Sequence, residues 1–148
     1  MGKTEAMNLE SYEMNKEATR AAVEKYLLQG REYKVTAYIP EEAAVTAAYS
    51  GMLRSVTNRI SDQTGRIAAS NVDEPERRRK HIARMERAID QLGERQQKLI
   101  RARYLEEDDV LDFDVAMDLG YSDRHYRRIK AAAIVRLAAI LGLIVLKE

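Results

Sequence analysis

The stretch Gly120–Lys130, GYSDRHYRRIK, sets four cations, Arg124, Arg127, Arg128 and Lys130, against one acid, Asp123. A guanidinium donates in a rigid fork that fits a guanine edge or a phosphate, and an ammonium neutralises phosphate as a point charge. The chemistry on offer is the binding of a polyanion rather than the making of bonds. Gly120 can take the left-handed conformation that ends a helix, and Ser122 can cap the next helix by accepting a backbone N–H. Helix, glycine turn and capped helix make the plan of a helix-turn-helix, whose second helix can lie in a major groove with its first turns against base edges. On this reading Ser122, Asp123, Arg124, His125, Arg127 and Arg128 stand at the DNA, Lys130 and Arg95 anchor phosphates, and Tyr126 and Ile129 face the core. The competing reading is a helical hairpin with a basic, solvated face.

Other chemistries find little support in the residues. The chain has no cysteine, which removes disulfides, thiolate catalysis and cysteine zinc sites together. His81 and His125 lie far apart without a second ligand pattern, so neither a metal nor a cofactor is expected, and His81 reads as an exposed helix residue. The acids of DDVLDFD lack the glycine and terminal glutamate of a calcium loop. SDQTGR lacks the spacing and lysine of a phosphate loop. The RRRK at 77–80 reads as an exposed helix face, with a backbone contact to DNA as the alternative. No group is placed for general acid–base or nucleophilic work, and an enzyme is not expected. Among eight tyrosines, Tyr26, Tyr104 and Tyr126 fall on apolar stripes and read as core.

The elements that must hold the basic stretch are helical. Residues 15–33 begin with a potential Asn15 cap and carry Ala18, Ala22, Tyr26 and Tyr33 on one stripe, with Gly30 weakening the last turn. Pro40 followed by acids predicts a helix over 41–54. The polar, small residues 55–73 have no clear period and read as a linker. From Asp73, with Pro75 in a first turn, Ile82, Met85, Ala88, Ile89 and Leu92 follow helical spacing. Gly93 breaks that helix. Further helices are predicted over 94–105, 110–119 and 123–141, and the apolar tail 142–148 is either a strand or a packed extension. The fold expected is all-α, with residues 1–72 an N-terminal helical region and linker and 73–148 a helix-turn-helix DNA-binding domain.

Charge is segregated along this plan. The chain of 148 residues has a formal charge of +1, yet residues 106–118, EEDDVLDFDVAMD, hold seven acids and no base. That acidic loop should point away from DNA. No apolar run reaches the roughly 20 residues of a membrane span, and the first residues show no secretory signal, so a soluble cytoplasmic protein with no membrane partner is expected.

LGERQQKLIRARYL followed by LDFDVAMDLGYSDRHYRRIKAAAIVRLA resembles region 4 of bacterial sigma factors. Over residues 17–148 the chain resembles the ArpU family of phage transcriptional regulators, through ATRAAVEKYLLQGREYK, SDQTGRIAAS and YRRIKAAAIVRLAAILGLIVLKE. The first resemblance implies a sigma region 4-like helix-turn-helix with Asp123, Arg124, Arg127 and Arg128 at the groove-reading positions. Asp123 stands where a base is common, so base preference does not carry over. The second implies a phage-encoded activator of late packaging and lysis genes, working in the cytoplasm of a host bacterial cell. Double-stranded DNA is the partner this implies. Host RNA polymerase and a second copy of the chain are further candidates, because a short helix-turn-helix commonly needs a second half-site or a protein neighbour. The alternative is a DNA-packaging or structural adaptor that holds phage DNA without regulating a promoter. A protein-interaction module using the apolar tail is the third.

Overall fold

The computed structural model describes residues 13–42 and 54–148. Among them the fold is all-α, with no strand. The helix expected over 41–54 lies outside the described residues but for its ends. Helix α1 is Lys16–Val35, and the Asn15 side chain caps it by accepting from the Ala18 N–H at 3.1 Å. Its buried stripe is Thr19, Val23, Leu27, Gly30 and Arg31. Ala18, Ala22, Tyr26 and Tyr33, expected inward, are half-buried on the flank. Val23 and Leu27 carry more apolar area than the alanines, and area decides which face turns in. Gly30 does more than weaken a turn: a methyl on it would overlap the Met85 sulfur of the next helix.

Helix α2 is Arg54–Asp90, 37 residues and so about 55 Å long. The linker expected over 55–73 is instead helical, and Asp73 and Pro75 lie inside the helix rather than at its start. One turn of it is held by a tie that local composition does not reveal. The Asn71 amide oxygen accepts from the Tyr38 hydroxyl (3.1 Å) and the Glu41 N–H (3.0 Å), while its Nδ2 donates to the Glu41 carbonyl (3.0 Å). The extended chain after α1 thus docks on the turn before Pro75, and Arg78 lies over both the Tyr33 and Tyr38 rings at 5.1 Å. His81 is half-buried, not exposed: it stacks on Tyr26 at 4.0 Å, with Nε2 3.0 Å from the Tyr26 carbonyl.

Helix α3, Glu94–Ile100, runs on into a π-helical turn at Arg101–Leu105. Helix α4 is Asp112–Leu119 and helix α5 is Asp123–Leu141. The tail is a packed extension. Asn15 N–H donates to the Val145 carbonyl (2.7 Å), Lys147 N–H to the Glu13 carbonyl (2.8 Å), and the buried Thr19 hydroxyl exchanges hydrogen bonds with the Val145 backbone.

One core joins all five helices: Val23 and Leu27 from α1; Met85, Ala88, Ile89 and Leu92 from α2; Leu99, Ile100 and Tyr104; Val115 and Ala116; and Tyr126 to Leu141 along α5. A division after residue 72 would cut α2, and α1 shares the core of the C-terminal helices. Glu86 reinforces this union by accepting from Lys34 of α1 (2.8 Å) and Arg101 of the π turn (2.9 Å). Burial pushes its carboxyl up, but these two cations hold it below the usual range. No helix among the described residues is long and apolar enough to cross a membrane.

The close approach of α1 to α2 sets a first test. Gly30→Ala should destabilise the protein by about 1 kcal/mol, because overpacking against the buried, flexible end of Met85 outweighs the helix propensity that alanine gains. Urea titration should show a lower midpoint with an unchanged slope, and an unchanged midpoint would refute the packing.

Candidate nucleic-acid interface

The turn between α4 and α5 is built from backbone needs. Gly120 sits at φ 73°, ψ 28°, which a side chain would resist, and the Tyr121 N–H reaches back to the Ala116 carbonyl at 2.9 Å. Ser122 is extended and its Oγ accepts from the His125 N–H at 3.2 Å, while Asp123 places a negative charge at the helix's positive end. Three residues therefore separate the two helices, and the first two turns of α5 project from a fixed base.

Asp112 supplies that base. At the first turn of α4 its carboxylate accepts from the Tyr126 hydroxyl (2.6 Å), Lys130 Nζ (3.0 Å) and Arg103 Nε (2.9 Å). Burial alone would raise its pKa, but the hydrogen bonds from Tyr126 and Lys130, the Lys130 charge and the Arg103 hydrogen bond together lower it. Burial and the neighbouring carboxylate push the Tyr126 phenol up, so it stays a donor. Lys130, expected at phosphate, is thus an internal partner of Asp112, with 14 % of its side chain exposed. It sits on the inner flank of α5, where an acid is in reach and a phosphate would have to displace it.

The remaining basic residues divide into two sets. Arg124 and Arg127 project into solvent. Arg127 Nε lies 3.3 Å from Asp123 Oδ2, but both side chains are 77 % exposed, so the pair is weak and easily exchanged. Arg128, Arg95 and His125 instead line an open groove of about 560 Å³ between the start of α3 and α5, together with Arg136, Gln96 and Glu94. Arg128 Nη2 donates to His125 Nδ1 at 2.9 Å, and the His125 ring meets Tyr121 edge-on at 5.0 Å. Ile129, expected in the core, is half-buried and forms part of the groove floor.

Of the eight candidates, the structure gathers Ser122, Asp123, Arg124, His125, Arg127 and Arg128 at the start of α5, sets Arg95 across the groove and withdraws Lys130. Sequence reasoning missed Arg136, although its place eight residues after Arg128 puts it on the same helical face. It also missed Asp112, whose role needs three partners from two other segments. Among the described residues no cluster of His, Asp or Glu could hold a metal ion. No family model, curated protein or solved structure matches this chain.

Asp112→Asn should cost about 1–2 kcal/mol at neutral pH, because it weakens charge-assisted hydrogen bonds in a half-exposed network. A carboxylate with a lowered pKa contributes stability above its unfolded pKa of about 3.9 and loses it as pH falls through the folded value. The gap between wild type and variant should therefore be full at pH 7 and close below about pH 4. Thermal melts across that range check it, and a constant gap would mean that the contribution is not ionic.

Proposed function

We propose that the chain is a sequence-specific double-stranded DNA-binding protein that reads a major groove with the first turns of α5. The observation that carries this is the projection of Arg124 and Arg127 from a capped helix whose register is locked by Asp112. Two exposed guanidinium groups three residues apart lie on one face and can each fork onto a guanine edge. The arginines of the groove, Arg95, Arg128 and Arg136, suit phosphates, which position a protein without reading sequence. His125, held by Arg128, orients that side chain.

With the sequence resemblance, this supports a phage transcription regulator of the ArpU type, activating late packaging and lysis genes through a sigma region 4-like helix-turn-helix. Host RNA polymerase, and a second copy of the chain to supply another half-site, complete the reading. The groove's three arginines also suit an adaptor that binds DNA generally.

Selection from random duplexes at near-physiological salt separates these readings. A regulator should enrich one motif. Arg127→Ala should then weaken the selected site by about 1–3 kcal/mol and scrambled DNA far less. Arg136→Gln should weaken both alike and lower the salt slope by about one. Binding without enrichment would favour the adaptor, and absence of binding would leave a helical bundle with a basic face.

A further inference from the structure

The chain's single phenylalanine is not in the core. Phe113 is 70 % exposed and Met117, one turn on along α4, is 65 % exposed, so the two form an apolar pair on the helix's outer face. Leu111, at the N-cap of the same helix, is 63 % exposed, and its side chain forgoes the hydrogen bond that a serine, threonine or aspartate would accept there. Folding explains none of these three choices, since α4 turns Val115 and Ala116 inward.

Acids flank the pair on one side. Asp114 and Asp118 follow Phe113 and Met117 on the helix, and they line a hollow of about 210 Å³ with Glu106, Glu107, Asp108 and Asp109. Asp108 is bound to Arg31 at 3.0 Å and Asp112 is used internally. Among the described residues Glu106, Glu107, Asp109, Asp114 and Asp118 stand in no ion pair with the chain's own cations. An apolar pair rimmed by unneutralised carboxylates repels a nucleic acid and attracts a segment that is both apolar and cationic.

We infer that the outer face of α4 with the 106–109 loop is a docking surface for a basic amphipathic helix of a protein partner. Such a helix lays apolar residues at i, i+3 and i+4 on Phe113 and Met117, with lysines or arginines along one flank reaching Asp114, Asp118 and the loop. The most basic described stretch of this chain does not fit the face. The described basic stretch Arg77–Arg87 of α2 exposes arginines, a lysine and an alanine, but no large apolar side chain to meet Phe113.

The probe is a fluorescein-labelled helical peptide of leucine and lysine with that apolar spacing, titrated with the full chain. A peptide with glutamate for every lysine is the control. The lysine peptide should bind, the glutamate peptide should not, and amide shifts should map to 106–118. Phe113→Ser and Met117→Gln should each weaken binding at least fivefold with an unchanged melting temperature, since both side chains are exposed. Asp114→Asn with Asp118→Asn should weaken it and flatten its salt dependence. Arg127→Ala should leave it unaltered, which separates this surface from the DNA reading. Absence of binding, equal binding of the glutamate peptide, or indifference to Phe113→Ser would overturn the inference. So would sedimentation showing a wild-type dimer that Phe113→Ser dissociates, because the occupant would then be a second copy.

Discussion

The carboxylate of Asp112 joins, by directed bonds, three parts of the chain that otherwise meet through the apolar core. Arg103 comes from the π turn, Tyr126 and Lys130 from α5, and Asp112 itself from the start of α4. Helices packed through apolar side chains alone can slide and rotate by small amounts at little cost, since hydrophobic contact has no direction. Charge-assisted hydrogen bonds do have direction, and three on one carboxylate fix the rotation of α5 about its axis. That rotation decides which of its side chains meet solvent. With Tyr126 and Lys130 drawn inward, Arg124 and Arg127 point out. The π turn belongs to the same device. The i→i+5 pattern of this turn, which includes Glu106 N–H to the Arg101 carbonyl at 3.0 Å, goes with Arg103 reaching Asp112 while Tyr104 remains buried.

Around this device the N-terminal helix completes the core rather than extending it. Leu27 and Val23 are fully buried against the C-terminal helices, and the tail closes over the start of α1 through Thr19 and Asn15. The Tyr104 hydroxyl donates to Glu24 of α1 at 3.1 Å, which satisfies a phenol that burial and that same carboxylate hold protonated. Cutting the chain after residue 72 would strip α1 from α5 and from the π turn, on both of which it packs, and leave the Tyr104 hydroxyl without Glu24.

How much of this was legible in the sequence depends on the range of the forces involved. The helices over 94–105, 112–119 and 123–141 carry their own apolar periods, and Gly120 and Ser122 act within one turn and could be read directly. Residues 55–73 could not: they show no clear apolar period, and the hold of Asn71 on Tyr38 and Glu41 spans some thirty positions with no local signature. The α1 stripe was missed by one residue for a related reason, since alanine and tyrosine fit either flank until partners select one. Lys130 shows the limit at the candidate site. Among four bases in one stretch, composition cannot tell which has an acid within reach, and Asp112 lies eighteen positions away. Arg124, Arg127 and Arg128, by contrast, follow from helical spacing once the cap is placed.

Net charge misleads for the same reason. A formal charge of +1 suggests indifference to polyanions, but charges more than about 8 Å apart are largely screened at physiological salt. An approaching partner therefore meets the local field. The hollow lined by the 106–109 acids and the groove lined by Arg95, Arg128 and Arg136 share no residue. Among the described residues one surface offers five carboxylates in no ion pair with the chain's cations, the other three guanidinium groups beside a Glu94 that Lys98 pairs at 3.6 Å. Asp112, in the same acidic stretch as the hollow, is spent internally on its three donors, so it adds no free charge to either surface. The contact that fixes the direction of the exposed arginines thus also consumes an acid of that stretch, and Asp123, 3.3 Å from Arg127, is the carboxylate that tempers the field at the start of α5.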